Sequence, residues 1–114
     1  VVIFITAKFK VKPEHADEWP HLVADFTRAT QGEEGCLWFE WSRSLSDPEE
    51  YVLVEAFQDD HAAVAHVQSL HFKAAQRSVP PLLVETPRIV NFKVPQDDWF
   101  LLGEMAVPEE GTGS

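Results

Sequence analysis

The stretch Tyr51 to Phe57 is apolar at both sets of alternating positions: Tyr51, Leu53 and Phe57 on one, Val52, Val54 and Ala56 on the other. Successive side chains of a strand point to opposite faces, so this strand presents apolar surface on both sides of its sheet. An antiparallel sheet with one wet face alternates between apolar and polar instead. Its neighbours share the feature. Between Cys36 and Leu45, the set Leu37, Phe39 and Trp41 opposes Cys36 and Trp38. Between Val2 and Val11, Ile3, Ile5, Ala7, Phe9 and Val11 form the main apolar row, yet Phe4 stands on the other side. Any fold of this chain must therefore cover two sheet faces.

The remaining segments supply cover for one. Lys12-Pro13-Glu14 opens a helix, with proline at a tolerated first-turn position. Trp19, Leu22, Val23, Phe26 and Ala29 follow at helical spacing, and Pro20 inside that run predicts a kink. Gly32 to Gly35 ends the element. Ser46-Asp47-Pro48 is a turn signal, so the second and third strands form a hairpin. Asp59 or Asp60 caps a helix holding Ala62, Ala63, Ala65 and His66. Ser69 caps a second short helix with Phe72, Ala75 and Val79, which Pro80-Pro81 stops. Glu85 to Val94 is the fourth strand.

The order β-α-β-β-α-β is the ferredoxin-like α+β arrangement, a four-stranded antiparallel sheet with both helices on one face. Residues 1–94 make this domain and 95–114 an acidic tail. The uncovered face calls for a second subunit, so a homodimer is predicted. The apolar part of the tail, Trp99, Phe100, Leu101, Leu102 and Met105, is expected to pack on the partner. Pro108 to Ser114 reads as disordered by composition.

The chain has 114 residues, which fits one domain. Its net charge of −10 argues against nucleic acid and anionic membranes as partners, because phosphate binding needs a basic face. Half of that charge is Asp97, Asp98, Glu104, Glu109 and Glu110, in a tail without Lys or Arg. No apolar run approaches the roughly 20 residues of a membrane span. The opening stretch lacks the basic start and cleavage site of a signal peptide. Cys36 is the single cysteine; it excludes an internal disulfide and fits the reducing cytoplasm, as a buried thiol rather than a nucleophile.

Three segments carry a resemblance. Glu34-Gly35-Cys36-Leu37-Trp38-Phe39-Glu40, Tyr51-Val52-Leu53-Val54-Glu55-Ala56-Phe57 and Ala65-His66-Val67-Gln68-Ser69-Leu70-His71-Phe72-Lys73 resemble the antibiotic biosynthesis monooxygenase family, a superfamily of dimeric α+β barrels. The most specific piece is Ala-His-x-x-Ser-x-His-Phe-Lys after a strand ending Glu-x-aromatic. The resemblance runs from about Val2 to Val94 and implies that two ferredoxin-like sheets pair into a barrel, with a pocket between sheet and helices. It fixes the fold better than the reaction. Members oxidise hydroquinones or anthrone-type polyketides with O2 and no bound cofactor, degrade haem, or isomerise a phosphorylated sugar. The haem-degrading pattern of Asn, Trp and His falls here on Ala7, His66 and Gln76, and all three depart from it. The isomerase branch wants a basic pocket, for which this acidic chain offers only Lys8, Lys10, Arg43 and Lys73. The implied activity is a cofactor-independent monooxygenase acting on a small aromatic substrate and O2. The alternatives are a non-catalytic small-molecule-binding or dimerisation module, or an isomerase of a small phosphorylated metabolite.

His66 is the leading catalytic candidate, because imidazole accepts a proton near neutral pH and Ala62 and Ala63 leave space beside it. The same residue also suits a helix-end role, bonding a carbonyl. Glu55 shares a face with Leu53 and Phe57, so it is expected to be buried and to need a partner, with Arg43 or the second subunit as sources; a second acid/base group is the functional reading. Phe9, Trp38, Phe39, Trp41, Phe57 and Phe72 are expected to line a pocket for a flat aromatic ligand, with His71 and Asn91 beside them. Arg88 is a weaker polar candidate. No metal site is expected: offsets of five, as from His66 to His71, rotate by roughly 140° in a continuous helix. No Cys or acid completes a zinc set in the sequence. No phosphate loop or dinucleotide fingerprint is present, so no nucleotide or flavin is expected.

Overall fold

The computed structural model describes residues 1–109. The elements run β1 (Val2–Lys10), α1 (Pro13–Ala16), α2 (Trp19–Leu22), α3 (Ala24–Gln31), β2 (Cys36–Arg43), β3 (Glu50–Phe57), α4 (Asp60–Val67), α5 (Leu70–Ser78) and β4 (Arg88–Val94), with a 3-10 turn at Pro80–Leu82. The four strands form one sheet in the order β2-β3-β1-β4, all neighbours antiparallel. This is the ferredoxin-like α+β fold.

Cover of the first face follows the apolar row of β1. Ile3 and Ile5 pack with Phe57 and Ala62; Ala7 packs with Phe39 and Leu53; Val11 joins Trp19, Val23, Tyr51 and Leu83. Polar contacts also fasten the helical layer to the strands. The Trp41 indole donates to Thr27 Oγ1 at 3.0 Å, the Gln31 amide donates to the Phe39 carbonyl at 2.9 Å, and the buried Tyr51 hydroxyl donates to the Ala16 carbonyl at 2.8 Å.

Several expectations are corrected in detail. The first helix is three short pieces rather than one kinked rod. Pro20 sits in the first turn of α2, where its missing N–H costs nothing. Strand β4 starts at Arg88, after Pro87, not at Glu85. In β2 the register slips between Cys36 and Trp38, which face Phe57 and Ala56 in turn. Two residues of β2 thus span one step of β3, a bulge. Cys36 thereby joins the inner core with Phe39, and Leu37 is exposed, the reverse of simple alternation.

The second face carries Phe4, Trp38, Phe92 and Val94, and Trp99 of the tail lies over them with its ring 5.3 Å from that of Trp38. This patch is not sealed: Phe92 is 44% exposed and Val90 56%. Beyond Trp99 the tail holds Phe100, Leu101, Leu102 and Met105 exposed around a short 3-10 turn at Gly103–Met105. The segment 110–114, most of the stretch read as disordered, lies outside the described residues. No helix among the described residues is long and apolar enough to cross a membrane.

Candidate active site

A cavity of about 370 Å³ lies between the inner sheet face and helices α3, α4 and α5. Phe9, Phe39, Trp41 and Leu53 form its floor, and Phe26, Phe72 and Ala75 its roof. Its polar lining is sparse: Glu55, His66, Gln76 and Asn91. None of its described lining residues is a lysine or arginine.

His66 reaches this cavity because of how its helix ends. Asp59 caps α4, its carboxylate accepting from the Ala62 N–H at 2.8 Å. The helix stops at Val67, and Ser69 starts α5: its hydroxyl accepts from the Phe72 N–H at 3.1 Å and donates to the His66 carbonyl at 2.6 Å. That break changes the direction of the chain between His66 and His71. The rotation argument for a continuous helix no longer applies, and the two imidazoles meet at one carboxylate. Glu33 Oε2 lies 2.8 Å from His66 Nδ1 and 2.5 Å from His71 Nε2.

Glu33 is the candidate site residue that sequence reasoning missed. It belongs to the loop between α3 and β2, more than thirty positions from either histidine. Gly35 presses this loop onto α4. A Cβ at Gly35 would stand 2.3 Å from Ala62 Cβ, so only glycine permits the approach. The Gln58 N–H donates to the Gly35 carbonyl at 2.9 Å and locks it. A Glu-x-Gly before a strand was the available signal, but nothing local ties it to a distant histidine.

The charges of this cluster follow from its geometry. A carboxylate only accepts, so the ring nitrogens facing Glu33 carry the protons. Neutral His66 is then protonated at Nδ1, and its Nε2 lone pair faces Glu55, whose Oε1 is 4.0 Å away. His66 is 4% exposed, and burial lowers its proton affinity below the ordinary histidine value; the Glu33 hydrogen bond and charge oppose this, and His71 adds to it. Glu55, 7% exposed, is pushed up to about 7 by burial, with the negative charge of Glu33 adding to the shift. Burial, then Glu33 and Glu55, push the Cys36 thiol up to about 11, which keeps it an unreactive thiol.

The antibiotic biosynthesis monooxygenase profile matches residues 2–78. The chain belongs to that family. Among solved structures, a conserved protein from Methanosarcina mazei Go1 is similar at 28% identity and a TM-score of 0.77, covering 82% of this chain and 92% of the other. A proposed antibiotic biosynthesis monooxygenase from Caulobacter crescentus CB15 is 26% identical with a TM-score of 0.78, covering 83% and 91%. A second such protein, from Nitrosomonas europaea, shares the fold at 20% identity and a TM-score of 0.77, covering 82% and 90%. No curated protein matches the chain.

For this family member, the predicted site residues separate into three groups. Phe9, Phe39, Trp41, Glu55, His66, Phe72 and Asn91 meet around the cavity. Phe57 lies behind it, stacked on the His66 ring at 4.8 Å, and His71 holds Glu33 from the outer side. Trp38 is a correction. It points to the opposite sheet face, with Phe4 and Phe92, because it is an even step from neither Phe39 nor Trp41. Arg43 is a second correction: it pairs with Asp17 at 2.8 Å and bonds the Pro48 carbonyl, so it is not the partner of Glu55. Arg88 is exposed and faces Glu85 at 3.7 Å.

Proposed function

We propose that the protein is a cofactor-independent monooxygenase that oxidises a hydroquinone or polycyclic phenol with O2, and that His66 is its base. The observation that carries this reading is the dyad at the cavity wall. Glu33 fixes the protonated Nδ1 of a buried imidazole, which leaves Nε2 to accept a proton inside an apolar space. The polar neighbours of His66 are the carboxyl groups of Glu33 and Glu55 rather than backbone groups.

In this reading Nε2 takes the phenolic proton, and the Glu33 carboxylate stabilises the imidazolium that forms. The resulting phenolate passes one electron to O2. The radical pair recombines as a carbon-bound peroxide, which recovers the proton from His66. The carbon that bears the peroxide then loses its remaining hydrogen as a proton while the O–O bond breaks, which leaves a ring carbonyl and releases water. The apolar walls exclude bulk water from these intermediates. Protonated Glu55 supplies a donor to a substrate or peroxide oxygen. The lack of any lysine or arginine on the described lining favours an uncharged aromatic over a phosphorylated substrate.

A homodimer belongs to this proposal, formed through the face bearing Phe4, Trp38 and Phe92, with the tail from Trp99 to Met105 packing on the partner. The half-exposed apolar patch there supports it. The single cysteine, half-buried, suits a reducing compartment, so a cytoplasmic location is part of the reading.

The test is oxygen uptake by metal-stripped protein with a panel of hydroquinones and anthrones, beside His66→Ala. Protein-dependent uptake that falls at least tenfold in the variant is expected, which is about 1.4 kcal/mol or more of barrier. No uptake above the spontaneous rate overturns the assignment.

A further inference from the structure

Glu33, His66 and His71 bring one carboxylate oxygen and two imidazole nitrogens within 4.8 Å of one another. We propose that these three residues form a binding site for a single divalent transition-metal ion of the zinc type, and that its occupancy switches off His66 as a base. The second half rests on the function proposed above; the first does not.

The donor set is the first argument. Two imidazoles and a carboxylate are a common set for a zinc ion that keeps one position open. Imidazole and carboxylate together also suit cobalt, nickel and copper. The ion takes the place of the two protons that face Glu33, and these move to the other ring nitrogens, His66 Nε2 and His71 Nδ1.

Orientation is the second. Phe57 stacks on the His66 ring at 4.8 Å and Phe72 meets its edge at 5.0 Å, so the ring plane is fixed. With Nδ1 on the ion, Nε2 must carry the proton, and the atom it faces is Glu55 Oε1. A ligating imidazole whose other N–H points at a carboxylate is the outer arrangement that metal sites use to orient their histidines. Here Glu55, which is not a ligand, stands on that side with Oε1 4.0 Å from Nε2, within reach of a small side-chain adjustment.

Access and fit complete the case. The His71 and Glu33 side chains are 25% and 16% exposed, so the outer side of the cluster opens to solvent while His66 stays buried. A tetrahedral ion with bonds near 2.1 Å sets its ligand atoms about 3.4 Å apart. The two contacts to Glu33 therefore lengthen by less than an ångström, roughly, and the imidazoles draw closer, which a loop carboxylate and a partly exposed histidine allow. The consequence is chemical. An imidazole bound through Nδ1 and protonated at Nε2 has no lone pair for a phenol, so the loaded protein cannot start the reaction.

Cobalt(II) is the probe, added as the chloride to the chelator-treated full chain and followed by its visible ligand-field bands. One equivalent should bind, and zinc should displace it. Glu33→Gln and His71→Gln should each weaken binding at least tenfold, while a His15→Gln, His21→Gln double variant binds as the parent does. Circular dichroism melts check that each variant is folded, and His71→Asn replaces any that is not. Absence of the bands at millimolar cobalt, or unchanged affinity in both Glu33→Gln and His71→Gln, overturns the site. Oxygen uptake is read on the same titration. Uptake that falls in proportion to occupancy supports the switch, and uptake that persists at full occupancy overturns it. A protein that binds cobalt but never consumes oxygen keeps the site and removes the proposed function.

Discussion

Replacing Glu55 with glutamine should change how stability depends on pH more than how large it is. The carboxyl is buried beside His66 and within the field of Glu33, and its folded value is pushed up to about 7 from an ordinary 4.5. The folded chain therefore holds this proton more tightly than the unfolded chain. Stability from the protonated form is complete below the unfolded value and is lost as pH rises through the folded one. Between about pH 5.5 and pH 8 the loss works out at about 2 kcal/mol. His66 works in the opposite sense. Its proton affinity is lowered on folding, so it weakens the fold as pH falls below the ordinary histidine value. The wild-type curve alone mixes the two. Glutamine keeps the size and the donor capacity of the protonated acid but does not titrate. The difference between wild type and Glu55→Gln thus isolates one group. Urea unfolding of metal-free protein, followed by tryptophan fluorescence at fixed protein concentration, gives that difference at each pH. It should favour wild type progressively less as pH rises, by about 2 kcal/mol across the range. A difference that stays flat to within about 0.5 kcal/mol would show that Glu55 is not a buried acid with a raised value, and would remove it as a proton donor in the cavity.

Other expected outcomes follow from packing. Gly35→Ala places a methyl group 2.3 Å from Ala62 Cβ and should cost about 1–3 kcal/mol in thermal or urea unfolding; adding Ala62→Gly should return part of that loss, and a purely additive double variant would contradict the contact. Tyr51→Phe removes a buried hydroxyl from the Ala16 carbonyl and should cost about 1 kcal/mol, measured the same way. Phe92→Asp should convert the proposed dimer to monomer in light scattering without altering the far-ultraviolet dichroism, since the residue is 44% exposed in the single chain. Ala75→Phe should fill part of the cavity roof and lower oxygen uptake at low substrate while leaving unfolding cooperative.

What could be read from the sequence was whatever depends on residues near one another along the chain. The caps at Asp59 and Ser69 are local hydrogen bonds, and each is found where a short polar side chain precedes a helical run. Burial of Glu55 followed from sharing a face with Leu53 and Phe57, because alternation is a local rule. The bulge at Cys36 was not legible, since a single extra residue in a strand leaves no compositional mark and yet exchanges the faces of Cys36 and Leu37. Nor was Glu33 legible as a site residue. It is brought to His66 by tertiary packing of a glycine on a helix, and no pattern within its own segment reports that.

The chain places its titratable cluster beside a cavity whose other lining, Gln76 and Asn91 apart, is apolar, and this asymmetry is a physical consequence of the fold. Across most of the inner face, strands and helices meet through aromatic and aliphatic side chains, which neither need nor tolerate charge. Beside α4, the loop between α3 and β2 joins the helical layer, with Gly35 against Ala62. A loop residue can bring a carboxylate inward while its side chain keeps some contact with water, as Glu33 does at 16% exposure. That partly hydrated carboxylate is what makes a buried imidazole tolerable at His66, by giving Nδ1 an acceptor. Once His66 is held, the buried Glu55 faces a basic nitrogen rather than hydrocarbon alone. The order of dependence is then Gly35 to Glu33, Glu33 to His66, and His66 to Glu55. In the proposed reaction, activity should therefore be more sensitive to Gly35, which lies outside the cavity lining, than to apolar lining residues such as Val79. The comparison of Gly35→Ala with Val79→Ala in the oxygen-uptake assay reads this directly: a greater loss in Val79→Ala would mean that cavity shape, rather than the held imidazole, limits the reaction.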